Sequence, residues 1–360
     1  MGTEIIRQPA EVRCAQELAL LKAQDRWSRP PGWELSPRMV ETFIMGSKEL
    51  GVTPKFVGDR RLVQVAIATL ASDRGLMLVG EPGTAKSWLS EHLAAAISGS
   101  SQYIVQGTAG TTEEQIKYSW NYALLIAEGP SRKALVESPV LRAMQGGKVV
   151  RFEELTRCAA EVQDALISIL SEKQVAIPEL DEVVPASRGF ALIGTANTRD
   201  RGVNDMSSAL KRRFNFVTIP VIADVNQEVA IVEQRSQELL GDLGAGAHVK
   251  RDLVELLTHV FAELRRGQTL DGKAKVKSPS TVLSTAELIS VVANAGLMGS
   301  FFGSGSATVR DCVSGLVGAV AKENAADLGV IEEYMETVVK ARKDGLWRDF
   351  YAAGKDVLGG

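Results

Sequence analysis

The run Gly80-Glu81-Pro82-Gly83-Thr84-Ala85-Lys86-Ser87 has the residue types and spacing to grip a chain of phosphates. In such a loop the backbone N–H groups turn inward, and the positive end of the following helix adds to their pull on an anion. Lys86 is placed to reach β- and γ-phosphate oxygens, and the Ser87 hydroxyl to ligate Mg²⁺. Ala85 stands where glycine is usual, which suits an αR or near-helical backbone and not a positive φ. A second group of chemistry-bearing residues closes the run Val149-Val150-Arg151-Phe152-Glu153-Glu154. One carboxylate at the end of a strand can hold Mg²⁺ through its water shell; the next can orient or deprotonate an attacking water. Asn197, at the end of Phe190–Ile193 and Gly194-Thr195-Ala196, can hydrogen-bond both a γ-phosphate and that water. Arg212 and Arg213, just ahead of Phe214, can project from the surface toward a neighbouring subunit's phosphate. Taken singly, each group has a plainer reading: a glycine turn, a surface acidic pair, a turn asparagine, a solvated basic helix end.

What joins them is the order of elements that must position them. Apolar runs at Leu76–Val79, Tyr103–Val105, Val149–Phe152, Ala191–Gly194 and Phe214–Ile219 are separated by helices or loops. They are continuous rather than alternating, which fits strands buried on both faces of a largely parallel α/β sheet. Ahead of them, helices are predicted over Glu11–Arg26, from Ser36-Pro37 through Met45, and over Asp59–Ser72. After Pro220 the strand signals stop. Helices are predicted over Asn226–Leu240, Leu253–Arg265, Val282–Ala293, Ala307–Lys322 and Ile331–Lys343, with loops at 241–246, 267–277 and 299–306. The organisation expected is a helical segment over 1–55, an α/β core over 56–222 and a helical domain over 223–360.

Composition narrows the class. The chain has 360 residues, a net charge of -3 and a pI of about 5.8, which speaks against a nucleic-acid coat. No apolar run approaches the ~20 residues of a membrane span, and the N-terminus lacks a secretory layout. Cys14, Cys158 and Cys312 are odd in number and far apart, so free thiols and a cytoplasmic location are expected. His92, His248 and His259 show no metal-ligand spacing.

The ordered set resembles the AAA+ ATPases, and within them the MoxR family, over roughly residues 56 to 220. The loop GEPGTAKS is similar to that family's variant, in which Ala before Lys is common. Val149–Val175 is similar to its acidic strand and following helix, Phe190–Phe214 to its Asn-bearing strand and Arg-Phe ending, and Phe56-Val57-Gly58 to its entry segment. The preface Arg29–Pro37 resembles the YehL-like branch. The resemblance implies ATP and Mg²⁺ as ligands, with Gly80 through Trp88 at the nucleotide, Ser87 and Glu153 at the metal, and Glu154 as catalytic carboxylate. Asn197 would be the first sensor and Arg213 the arginine finger. An insert would occupy about 111–147 and a hairpin about 175–184. The implied assembly is a homo-oligomeric, hexameric ring remodelling a protein partner, such as a von Willebrand factor A domain protein, with nucleic acid an unexpected ligand. Two departures stand out. Glu153 replaces the usual Asp, and Ser278–Ala286, where a second-sensor Arg belongs, has none. They motivate an alternative, a nucleotide-dependent switch or scaffold with little hydrolysis. Metal insertion, a third option by superfamily analogy, would need a chelatase-type partner.

Overall fold

The computed structural model describes residues 7–198, 205–243, 248–322 and 324–359. The residues at 199–204, inside the segment similar to the family's Asn-to-Arg stretch, and the second half of the loop expected at 241–246 lie outside the described residues. The chain divides into two compact units, one of residues 1–81 and 85–220, the other of 82–84 and 221–360.

The first unit begins with two short helices, α1 (Ala10–Arg13) and α2 (Ala15–Gln24), where the sequence suggests one. Cys14, with φ −105 and ψ 20, breaks the helical path between them. In α3 (Pro37–Met45) the Ser36 side chain accepts the Met39 N–H and proline occupies the first turn. Asp59 caps α4 (Arg60–Leu70) in the same way. The sheet strands are β1 (Gly75–Gly80), then β2 (Ile104–Gln106) after helix α5 (Lys86–Ser98). Residues 111–147 fold as α6 (Glu113–Ile116), the antiparallel pair β3 (Tyr118–Trp120) and β4 (Leu135–Glu137) around α7 (Tyr122–Glu128), and α8 (Pro139–Gly146). Then come β5 (Val149–Glu153), α9 (Ala160–Glu172), and an antiparallel hairpin of β6 (Gln174–Ile177) and β7 (Glu182–Pro185). The unit closes with β8 (Ala191–Asn197), α10 (Ser208–Lys211) and β9 (Phe214–Ile219).

Five strands form one parallel sheet in the order β2-β5-β8-β1-β9. Alternate residues feed two cores. Leu76 and Leu78 pack with Phe43, Ile67, Leu93 and Ile97 on one face; Met77, Val150, Phe152 and Leu192 pack with Leu141, Met144, Leu166 and Ile169 on the other. Burial on both faces is why the inner strands β1, β5 and β8 read as largely apolar runs; the edge strands β2 and β9 are exposed in part. Each fully buried Leu or Ile contributes about 1.5–3 kcal/mol, so both cores are needed for the sheet to hold its ends in place.

The N-terminal helices belong to the first of these cores. Leu21, Trp33 and Leu35 are buried in it, Glu11 accepts from the Ser101 N–H and hydroxyl, and Arg7 and Arg13 converge on the buried Glu91 of α5 at 2.7 and 3.1 Å.

The second unit is helical: α11 (Val225–Asp242), α12 (Arg251–Arg266), α13 (Thr285–Phe301), α14 (Val309–Ala321), α15 (Leu328–Thr337) and α16 (Gly345–Gly359) around one core. Three details differ from the sequence reading. First, α13 starts at Thr285 on a Ser284 cap and runs on to Phe301. Gly299 is thus a helical residue, and a Cβ there would meet the Ser306 carbonyl at 2.3 Å; the glycine admits a crossing backbone rather than ending a helix. Second, the helix expected to reach Lys343 ends at Thr337, followed by a short turn at Val339–Ala341. Third, α16 has no counterpart in the sequence reading; it packs through the buried Phe350 and Gly354. Among the described residues, no helix is long and apolar enough to cross a membrane.

Candidate functional site

The phosphate-binding loop leaves the sheet at Gly80, the last residue of the interior strand β1, and enters α5 at Lys86. Glu81, Pro82, Gly83, Thr84 and Ala85 make the turn, with φ at 73° for Gly83 and 64° for Ala85. The sequence reading allows Ala85 only a near-helical backbone, and the structure corrects this: Ala85 is left-handed and serves as the N-cap of α5. An αL alanine costs about 1–2 kcal/mol, held by the flanking strand and helix. Its methyl cannot cap, so the first-turn amides of α5 remain as anion donors. Lys86 is buried, and its ammonium donates to the carbonyls of Gly80 at 3.1 Å and Glu81 at 2.7 Å.

Opposite the loop, Glu153 ends β5 and is 3% exposed. Its Oε2 accepts from the Ser87 hydroxyl at 2.6 Å and the Thr195 hydroxyl at 2.8 Å. Its Oε1 accepts from the Ser90 hydroxyl at 2.6 Å and from Arg151 at 2.9 Å. Burial pushes this carboxyl's pKa up, but the Arg151 guanidinium and the hydrogen bonds from Ser87, Ser90 and Thr195 outweigh it. The group is held below the usual carboxylate range and stays ionised. A hydroxyl and an ionised carboxylate in contact make an all-oxygen donor pair of the kind Mg²⁺ takes, phosphates and water supplying the rest. Among the described residues no cluster of three or more His, Cys, Asp or Glu could hold a metal alone.

Glu154 follows at φ 54 and ψ 44, a left-handed non-glycine residue. Its N–H donates to Thr195 Oγ1 at 2.9 Å and its carboxylate accepts from Arg157 at 2.8 Å. Gly107 makes room for this turn, since a Cβ there would lie 2.4 Å from the Glu154 carbonyl. Asn197 ends β8 in register with Gly80, and the Thr198 N–H donates to the Gly80 carbonyl at 3.2 Å. Loop, acidic pair and asparagine thus meet at the C-terminal edge of the sheet, where parallel α/β sheets bind ligands.

Two predicted site residues sit apart from that edge. Arg213 precedes Phe214, which pairs with Gly75 at the opposite end of β1, roughly 16 Å from Gly80 at ~3.3 Å per residue. Its guanidinium is tied to Ser171 Oγ and, at 2.5 Å, to the Ala209 carbonyl. The neighbouring Arg212 is exposed. Trp88 points away from the loop: its Nε1 donates to the Lys55 carbonyl at 2.8 Å, and its ring lies against Arg13 at 4.6 Å and His92 at 4.3 Å.

Sequence reasoning missed Arg151, Ser90 and Thr195. Their spacing places them on the same faces as the site residues, but names no partner for any of them. Arg151 lies two residues before Glu153 and Thr195 two before Asn197, the same-face interval of a strand; Ser90 lies three after Ser87, the same-face interval of a helix.

Comparison with known proteins agrees with this arrangement. The family described as AAA domain (dynein-related subfamily) matches residues 75–214, and that described as YehL-like AAA+ ATPase C-terminal domain matches residues 226–358. The uncharacterized protein YehL of Escherichia coli (strain K12) is 44% identical over 350 residues, covering 96% of each chain. The uncharacterized protein SH1500 of Staphylococcus haemolyticus (strain JCSC1435) is 25% identical over 181 residues, half of this chain and 67% of its own. Among solved structures, NtrX from Brucella abortus in complex with ATP superposes with a TM-score of 0.50 at 14% identity, over 84% of this chain and 70% of that one, a likeness of fold.

Proposed function

We propose that this chain, which belongs to the YehL-like family of AAA+ ATPases, hydrolyses ATP with Mg²⁺ and uses the cycle to remodel or activate a protein partner. The observation that carries this is the 2.6 Å contact between the Ser87 hydroxyl and the Glu153 carboxylate, with Glu154 next in chain and Asn197 beside Gly80. The loop amides and Lys86 bind the triphosphate, and Ser87 with Glu153 would hold Mg²⁺. Bound there, the metal neutralises phosphate charge. Glu154 orients and deprotonates the attacking water, and Asn197 hydrogen-bonds water and γ-phosphate.

A finger cannot act from the far end of its own sheet, so Arg213 would serve a neighbour's nucleotide in a hexameric ring. The exposed Arg212 is the competing finger. The resemblance to MoxR proteins suggests a cytoplasmic setting and a von Willebrand factor A domain protein as partner. The test is steady-state ATPase activity across protein concentration, with sedimentation, for wild type, Arg212→Ala and Arg213→Ala. Specific activity that rises with concentration and collapses in one variant, while nucleotide binding persists, supports a trans finger in a ring.

A second reading, a nucleotide-dependent switch with little turnover, is favoured by the 2.8 Å ion pair that engages the Glu154 carboxylate with Arg157. Turnover indifferent to Glu154→Gln would establish it.

A further inference from the structure

The face of β5 that looks toward α5 reads Val149, Arg151, Glu153, while the reverse face is Val150 and Phe152. An arginine buried in a strand, 7% exposed, needs acceptors for its nitrogens. All three nitrogens of Arg151 find acceptors, on α5, on β5 and on Ser101. Its Nε donates to Ser90 Oγ at 3.0 Å and its Nη1 to the Ser101 carbonyl at 3.1 Å. Its Nη2 donates to the Ser87 carbonyl at 3.2 Å and to Glu153 Oε1 at 2.9 Å. The two oxygens of Glu153 are thereby divided. Oε1 is fixed by buried partners, Arg151 and Ser90; Oε2 faces only hydroxyls, those of Ser87 and Thr195.

We propose that Arg151 is a positioning residue that lets a glutamate do the work of a metal-binding aspartate. It draws Oε1 back along the strand, absorbing the extra methylene, and leaves Oε2 presented to the Ser87 hydroxyl. The inference rests on reading Ser87 and Glu153 as the magnesium-holding pair. Arg151 and residue 153 are then coupled: Glu needs the guanidinium, and Asp, with its shorter reach, does not.

The experiment is equilibrium binding of a fluorescent ATP analogue against free Mg²⁺, with parallel titrations in EDTA and thermal unfolding of every variant. Arg151→Met should raise the half-saturating Mg²⁺ about tenfold, the effect expected when a partner that orients a metal ligand is lost, and leave binding in EDTA unchanged. Adding Glu153→Asp to that variant should bring the Mg²⁺ requirement back to within about twofold of wild type. Should Arg151→Met not fold, Arg151→Lys keeps the charge, loses the fork, and should show the same rise at about threefold. An unchanged Mg²⁺ requirement, an equal loss of binding with and without Mg²⁺, or no rescue by Glu153→Asp overturns the proposal. If wild type and Ser87→Ala show the same Mg²⁺ response, the metal-pair reading itself has failed and takes the proposal with it.

Discussion

Each unit buries glutamates against arginines, and two of these pairs, one from each unit, are built differently. In the helical unit, Arg265 forks onto both oxygens of Glu228, at 3.1 and 2.6 Å, and Thr285 adds a third hydrogen bond at 2.7 Å. All three groups come from packed helices, and Glu228 has no exposed surface. In the α/β unit, Arg151 touches only one oxygen of Glu153, and the other is left to hydroxyls, one of them on the exposed Ser87. A two-oxygen fork locks a carboxylate for architecture. A one-oxygen contact anchors it and leaves the second oxygen to exchange partners by a hydroxyl rotation. The two pairs thus hold their carboxylates differently, one on both oxygens and one on a single oxygen.

Variants can break that distinction. The largest effect belongs to Glu154→Gln. It should lower turnover at least ~10²-fold with nucleotide binding retained and urea stability unchanged, measured by steady-state phosphate release. Glu228→Ala should do the reverse, costing about 3–5 kcal/mol in urea unfolding because Arg265 is left buried without its partner. Glu228 and Arg265 replaced together by Met and Leu should recover most of that loss. If Glu228→Ala instead lowers turnover per folded molecule, the helical pair is not purely architectural.

A smaller effect is expected of Ala85→Gly. Relief of the αL backbone, offset in part by glycine's own entropy, should raise stability by up to about 1 kcal/mol. A fall in the urea midpoint would show that the loop does not strain its alanine. The smallest effect is the most local. A buried thiol lies in each unit, Cys158 in one and Cys312 in the other, and burial raises both thiol pKa values, that of Cys312 to about 12. Both should resist a thiol reagent at pH 8, and Glu228→Ala should speed labelling of Cys312 and not of Cys158.

The inner strands were legible because burial on both faces leaves a mark that period-two strands lack. The loop, Glu153, Glu154 and Asn197 were legible because each closes such a run. Arg151 was not: one arginine within five strand residues carries no sign of the four acceptors that hold it. Ala85 could not be read either, since its φ is imposed by the strand and helix it joins and not by its own preference. In the helical unit, α16 escaped because Gly345 and Gly354 look like breakers, though Gly354 is the packing point, where a Cβ would meet Met335 at 2.9 Å. The end of α13 was misplaced for the same reason at Gly299.

The interior position of β1, between β8 and β9, also governs how the protein can be made. Leu76 lies beside Ile193 and Asn215, and neither β8 nor β9 exists when β1 leaves the ribosome. Until Asn197 is made, an apolar strand waits with both edges open, and one edge stays open until Ile219, next to an N-terminal segment that already presents Leu21, Trp33 and Phe43. Such a nascent chain has no cooperative core to close until its sheet's last strand is synthesised. Its vulnerable period is therefore set by translation speed across residues 80 to 219. A stall within that stretch should load holding chaperones, whereas one in the helical unit should find the α/β unit already closed.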